Sequence, residues 1–171
     1  AHCDLERFGP AIEGHPDFEG FAKLAEQVFR EDVYHAVTLP GGAGQECPGY
    51  QAHAMHQWVE LAGITRKHLG FDPTKWPRFK GAASFLVHVS QPDGPGRRKF
   101  HPGGDTHPGK PDPMDFVRQF GVKEDPKTFK TEELPGFGVI FRNRPGTAKE
   151  TYLAFKSGPN RGHYHGDQLS I

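Results

Sequence analysis

A chain of 171 residues can hold one domain with a real core, or the adjoining parts of two. Its 21 basic and 21 acidic side chains cancel, which removes the broad field that would hold nucleic acid or an anionic membrane, so any polyanion must be gripped locally. No apolar run approaches the roughly 20 residues that a membrane helix needs.

With 22 glycines, 16 prolines and 35% hydrophobic residues, the composition implies many turns and a core thin for the length. Cys3 and Cys47 lie far apart and can pair in an oxidising compartment or remain thiols. The N-terminus has no basic and apolar leader, which leaves open one that is removed or lies on another part of the protein.

From Phe18 to Phe29, Phe18, Phe21, Leu24, Ala25, Val28 and Phe29 recur at helical steps and predict an amphipathic helix, with Asp17 placed to cap it. After the turn-rich stretch Leu39-Pro40-Gly41-Gly42-Ala43-Gly44, a second helix is predicted from about Tyr50 to Leu61. Ala52, Met55, Trp58, Val59 and Ala62 line one side of it, with Tyr50, His53, Gln57 and Glu60 opposite. A third helix is expected over Phe79 to Val89, ending before the turn Pro92 to Gly96.

Arg97 to Pro113 is polar and rich in Gly, Pro and His, and reads as an ordered loop or linker. Asp112-Pro113, then Phe116, Val117, Phe120 and Gly121, carry an N-cap, a first-turn proline and a terminal glycine, the marks of a short helix. Gly138 to Arg142 is a short apolar strand, Asn143 to Gly146 a turn, and Thr151 to Lys156 alternates as a half-buried strand does. A last strand-like run covers His163 to Ile171. Three strands close neither a sandwich nor a barrel, so partner strands are expected from the rest of a parent polypeptide or from another chain.

Eleven histidines are the outstanding feature of the composition, since imidazole combines proton transfer with metal ligation near neutral pH. In His163-Tyr164-His165-Gly166-Asp167 three polar groups stand two residues apart, which places them on one strand face. They can converge on one metal or substrate, with zinc the metal that imidazoles and a carboxylate suit, or simply bond to their neighbours. Gly158 and Gly162 let backbone approach a ligand there.

Gln45-Glu46-Cys47-Pro48-Gly49-Tyr50 leads into the second helix, with His53 one turn on and His56 nearby. Tyr50 can reach a cleft and transfer protons, or pack as an ordinary helix-start tyrosine. His101, Asp105 and His107 form a weaker group in a loop that Asx-type hydrogen bonds would explain equally well. Arg142 and Arg161 can each fork onto a carboxylate, although a solvated surface is the ordinary fate of such residues.

The order of these parts resembles the heparinase II/III-like polysaccharide lyases and their alginate and oligoalginate lyase relatives. Gln45 to Tyr50 is similar to the segment where an acidic residue precedes the tyrosine opening an inner helix of an (α/α) toroid. Leu134 to Arg142, Tyr152 to Gly158 and Gly162 to Ser170 are similar to the opening strands of the family's β-sandwich. The resemblance implies an α+β chain: the C-terminal part of the toroid over 1–110, a linker with a short helix over 111–132, and the incomplete start of an antiparallel sandwich over 133–171.

It further implies Tyr50 and His163 as the catalytic pair and His165 as ligand of a structural zinc, with Asp167 in a supporting metal role. Glu46, His53, Arg142 and Arg161 become candidates for substrate contact. The expected partner is an acidic polysaccharide or oligosaccharide cleaved by β-elimination, in the periplasm or outside the cell, with no nucleic acid, membrane or organic cofactor. Two other readings are a metal-dependent, cupin-like module around His163, His165 and Asp167, and a non-catalytic glycan-binding subunit.

Overall fold

The computed structural model describes residues 13–33, 39, 41–44, 46–94, 97–101 and 112–157. It is an α+β arrangement of helices and two small antiparallel sheets. The helices are α1 (Phe18–Val28), α2 (Pro48–Ile64), α3 (Pro77–His88) and α4 (Pro113–Arg118); α1 and α2 each run on into one wider turn, Phe29–Val33 and Thr65–Leu69. No described helix is long and apolar enough to cross a membrane.

The core forms where the buried sides of α2 and α3 meet. Ala52, Met55, Trp58 and Ala62 are buried on α2, as the spacing predicts, against Phe79, Ala82, Phe85 and Leu86 of α3. Trp58 and Phe79 pack edge to face with centroids 4.6 Å apart, the arrangement their ring quadrupoles favour. Pro48 and Pro77 occupy first-turn positions, where the missing N–H costs nothing.

The first helix departs from expectation. Its length is as predicted, but Phe21 and Leu24 are 43% and 58% exposed, and Asp17 makes no side-chain cap bond. The helix is held instead just beyond its end, where Phe29 is buried beside Phe71 and the Arg30 guanidinium lies 4.0 Å from the Trp76 ring centre.

The Arg97–Pro113 stretch is not wholly loop. Arg98–Lys99 forms β2, paired with β1 (Gln91–Pro92) across the predicted turn. Asp112 caps α4 by accepting from the Met114 N–H at 2.8 Å, and its other oxygen accepts from the Arg98 N–H at 3.2 Å. Asp112→Ala is therefore expected to lower unfolding stability by about 1 kcal/mol in urea titrations, and Asp112→Asn to keep the cap but lose the bond from the Arg98 N–H, since only its amide oxygen accepts.

The second sheet is a meander, β3 (Glu132–Leu134), β4 (Gly138–Asn143) and β5 (Thr151–Lys156). The strands at 138 and 151 are those predicted; β3 is additional. Ile140 opposes Ala154 on the buried face, while Phe141 opposes Leu153 on the other, both nearly half exposed. The predicted strand from His163 to Ile171 lies outside the described residues.

Candidate functional site

Three carbonyls at the C-terminal end of α3 tie helix to sheet. A helix end leaves carbonyls without intrahelical donors, and its dipole makes that end negative. Here the donors come from the strands: Arg142 Nη2 donates to the His88 and Ser90 carbonyls at 2.6 Å each, Tyr152 Oη to that of Val89 at 2.8 Å, and Arg98 Nη2 to that of Ser90 at 2.6 Å. Both guanidiniums also donate to Glu150, Arg142 at 2.6 Å and Arg98 at 3.0 Å, with all three side chains essentially inaccessible.

Burial pushes the Glu150 carboxyl upward, but bonds from Arg98, from the Gly146 N–H and from Arg142 outweigh it, and the net shift is downward. Burial holds the Arg142 guanidinium below its ordinary value, the neighbouring Arg98 charge adding to this against the pull of Glu150. The Tyr152 phenol is pushed up by burial. Arg142 thus departs from its expected role: its fork is committed to Glu150 and to the end of α3, not turned towards a solvent-borne carboxylate.

A second junction lies at the glycine-rich turn before α2. Gln51, buried one residue after Tyr50, clasps this turn: its Nε2 donates to the Gly42 carbonyl at 2.7 Å, and its Oε1 accepts from the Gly44 N–H at 2.6 Å. Gly41 packs against Pro135, and Gly136 against Leu39 and Ala43, so the β3–β4 turn rests on the same loop. Gly42, with φ of +90°, lies against the α3 backbone at Gly81.

Between these parts is a cavity of about 350 Å³, walled by Leu39, Gly41 and Gly42, by Arg78, Gly81, Ser84, Phe85 and His88 of α3, and by Leu134 of β3. His88, in that wall, is held by groups on three sides. Its Nδ1 is 2.7 Å from Glu132 Oε1, its Nε2 is 3.5 Å from Glu124 Oε2, and its ring lies 4.8 Å from that of Phe129. Both ring nitrogens of His88 therefore face carboxylate oxygens, groups that accept hydrogen bonds. Ser84 donates its hydroxyl hydrogen to Glu124 at 2.7 Å.

Sequence reading passed over His88, Glu132, Glu124 and Glu150. The only signal was polar residues closing an otherwise apolar helix, and their partners lie 44 residues away for His88–Glu132 and 52 for Arg98–Glu150.

The expected site residues divide as follows. Tyr50 is half-buried in the first turn of α2, Glu46 is half-buried just before it, and His53 is exposed with Nε2 3.4 Å from Gln57 Nε2. None of the three walls the cavity, but Tyr50 is joined to it through Gln51 and the glycine turn. Cys47 is buried beside them, and Cys3 falls outside the described residues. His101 is half-buried with its ring 5.6 Å from that of Phe137; Asp105 and His107 lie outside the described residues. His163, His165, Asp167 and Arg161 do too. Among the described residues no group of three or more His, Cys, Asp or Glu is arranged to hold a metal ion. No protein-family model, curated protein or solved structure matches this chain.

Proposed function

We propose that the chain is part of a lyase that cleaves uronic-acid polysaccharides by β-elimination, with its helices drawn from an (α/α) toroid and its meander from a β-sandwich. The observation that carries the reading is the place of Tyr50. It opens the helix that follows the glycine turn, and that turn joins the helices to the sheet and walls the cavity between them.

Elimination removes the proton on C5, beside the uronate carboxylate, while the bond to the leaving oxygen breaks and that oxygen takes a proton. An ionised carboxylate makes the C5 proton too weakly acidic, so donors must stabilise the charge that develops on it. Tyr50 is the group assigned to proton transfer and His163 its partner. Glu46, His53 and Arg161 are assigned to the glycan, Arg142 being committed elsewhere. His165 and Asp167 are assigned to a structural zinc, and no proton in this scheme passes through the metal.

Ultraviolet absorbance of the unsaturated uronate formed from alginate or heparan sulfate tests the reading. Wild-type protein should generate the product, and Tyr50→Phe should slow it by about 10²–10⁴-fold, the range for loss of a general acid or base. Undiminished activity in the variant, or no product from either polymer with wild type, overturns it.

A further inference from the structure

We infer that His88 and Glu124 bind a divalent transition-metal cation of the zinc class, with Glu132, on the far side of the imidazole, as the carboxylate that orients the ring. This goes beyond the lyase reading, whose structural zinc is assigned to His165 and Asp167, and does not depend on it.

The spacing comes first. Zinc lies about 2.0–2.1 Å from an imidazole nitrogen and about 2.0–2.2 Å from a carboxylate oxygen, so two such ligands at a tetrahedral angle stand about 3.3–3.5 Å apart. His88 Nε2 and Glu124 Oε2 are 3.5 Å apart. A direct bond between an imidazolium and a carboxylate would be shorter, about 2.7–2.9 Å, so the gap suits a shared ion better than a shared hydrogen.

Both ligands are held from behind. His88 Nδ1 is 2.7 Å from Glu132 Oε1, and a carboxylate on the other ring nitrogen is the usual support of a metal-binding histidine. A bound cation selects the tautomer that gives its Nδ1 hydrogen to Glu132 and turns the Nε2 lone pair to the ion. Ser84, one turn before His88 on α3, does the same for Glu124: its hydroxyl donates to Oε1 at 2.7 Å and leaves Oε2 for the cation. The Phe129 ring, 4.8 Å from that of His88, limits the swing of the imidazole.

Ligand type and charge select the ion. Glu124 and Glu132 bring two negative charges, which a divalent cation cancels. Magnesium and calcium take all-oxygen shells, whereas an imidazole with a carboxylate suits zinc and its first-row neighbours. Glu132 lies across the ring, so the ion has two protein ligands and water completes its shell. Binding is therefore weaker than in a closed site of four side chains. The His88 and Glu124 side chains are 24% and 22% exposed, which leaves an entry path.

The test is a titration of the 171-residue chain, labelled with ¹⁵N-histidine, with zinc at neutral pH, and with magnesium as the control cation. His56 supplies an internal comparison. Its Nε2 lies 3.6 Å from Glu60 Oε1, but that pair stands exposed on α2. The His88 ring signals, identified by their loss in His88→Gln, should shift saturably with zinc and not with magnesium. They should reach half-saturation at about tenfold less zinc, or lower still, than those of His56, the advantage a supporting carboxylate confers. In Glu124→Gln the apparent Kd at His88 should rise about tenfold or more. No saturable movement of the His88 signals, an equal response to magnesium, equal affinity at His56, or unchanged affinity in folded Glu124→Gln would each overturn the inference. Should that variant fail to fold, the wild-type comparisons of zinc with magnesium and of His88 with His56 still decide. The His165 signals report the other zinc separately, so either site can fail without the other.

Discussion

Glu150→Gln is expected to lower the unfolding free energy by about 3–5 kcal/mol, read as a fall in the urea midpoint at unchanged slope. The glutamine has nearly the same shape, so packing is preserved and the loss is electrostatic. Two guanidiniums share this carboxylate in a space closed to water, and without it both remain buried with only carbonyl and hydroxyl partners. The loss should spread to the end of α3, because the nitrogens that bind its carbonyls belong to the same guanidiniums.

Acid should act on the same contact. The Glu150 carboxyl sits below its ordinary value of 4.5 in the folded protein, so it binds protons less readily there than in the unfolded chain. Its contribution is fully present above that ordinary value and is lost as pH falls through the folded value. Unfolding free energy measured downward from pH 6 should therefore fall more steeply in wild type than in Glu150→Gln. Parallel curves would show that the carboxylate adds nothing.

The helices and the hairpin are legible in the sequence because their signals are local. The apolar spacing of α2 and α3, the Asp112 cap with Pro113, and the turn before Thr151 all lie within a few residues of what they determine. Local rules fail where a partner is distant. Arg142 could be singled out as a forked cation, but Glu150 and the carbonyls that occupy it are joined to it only by the fold. For His88 the pattern showed merely a polar residue ending an apolar helix, and its meaning comes from Glu132 on a strand the pattern did not indicate. The converse case is α1: the amphipathic helix is there as predicted, but a regular apolar stripe is no evidence of a surface to bury it, and among the described residues only the turn after the helix reaches the core.

Gly42→Ala should cost about 3 kcal/mol or more in thermal or urea unfolding. With φ of +90°, an L side chain there is strained, by roughly 1–2 kcal/mol on the usual left-handed scale. The added methyl would also run into the Gly81 carbonyl, 2.7 Å from its carbon atom, and overpacking of this kind adds about 1–3 kcal/mol. Relief would require the turn to lift from α3, pulling on the Gln51 clasp beside Tyr50. Gly81→Ala on the facing helix supplies the contrast. A methyl there meets nothing within 4 Å and the backbone is helical, so it should stabilise by roughly 0.5–1 kcal/mol while narrowing the cavity. Opposite signs from one added methyl on either side of a single contact would locate the strain in the turn, and equal losses would place it in the helix.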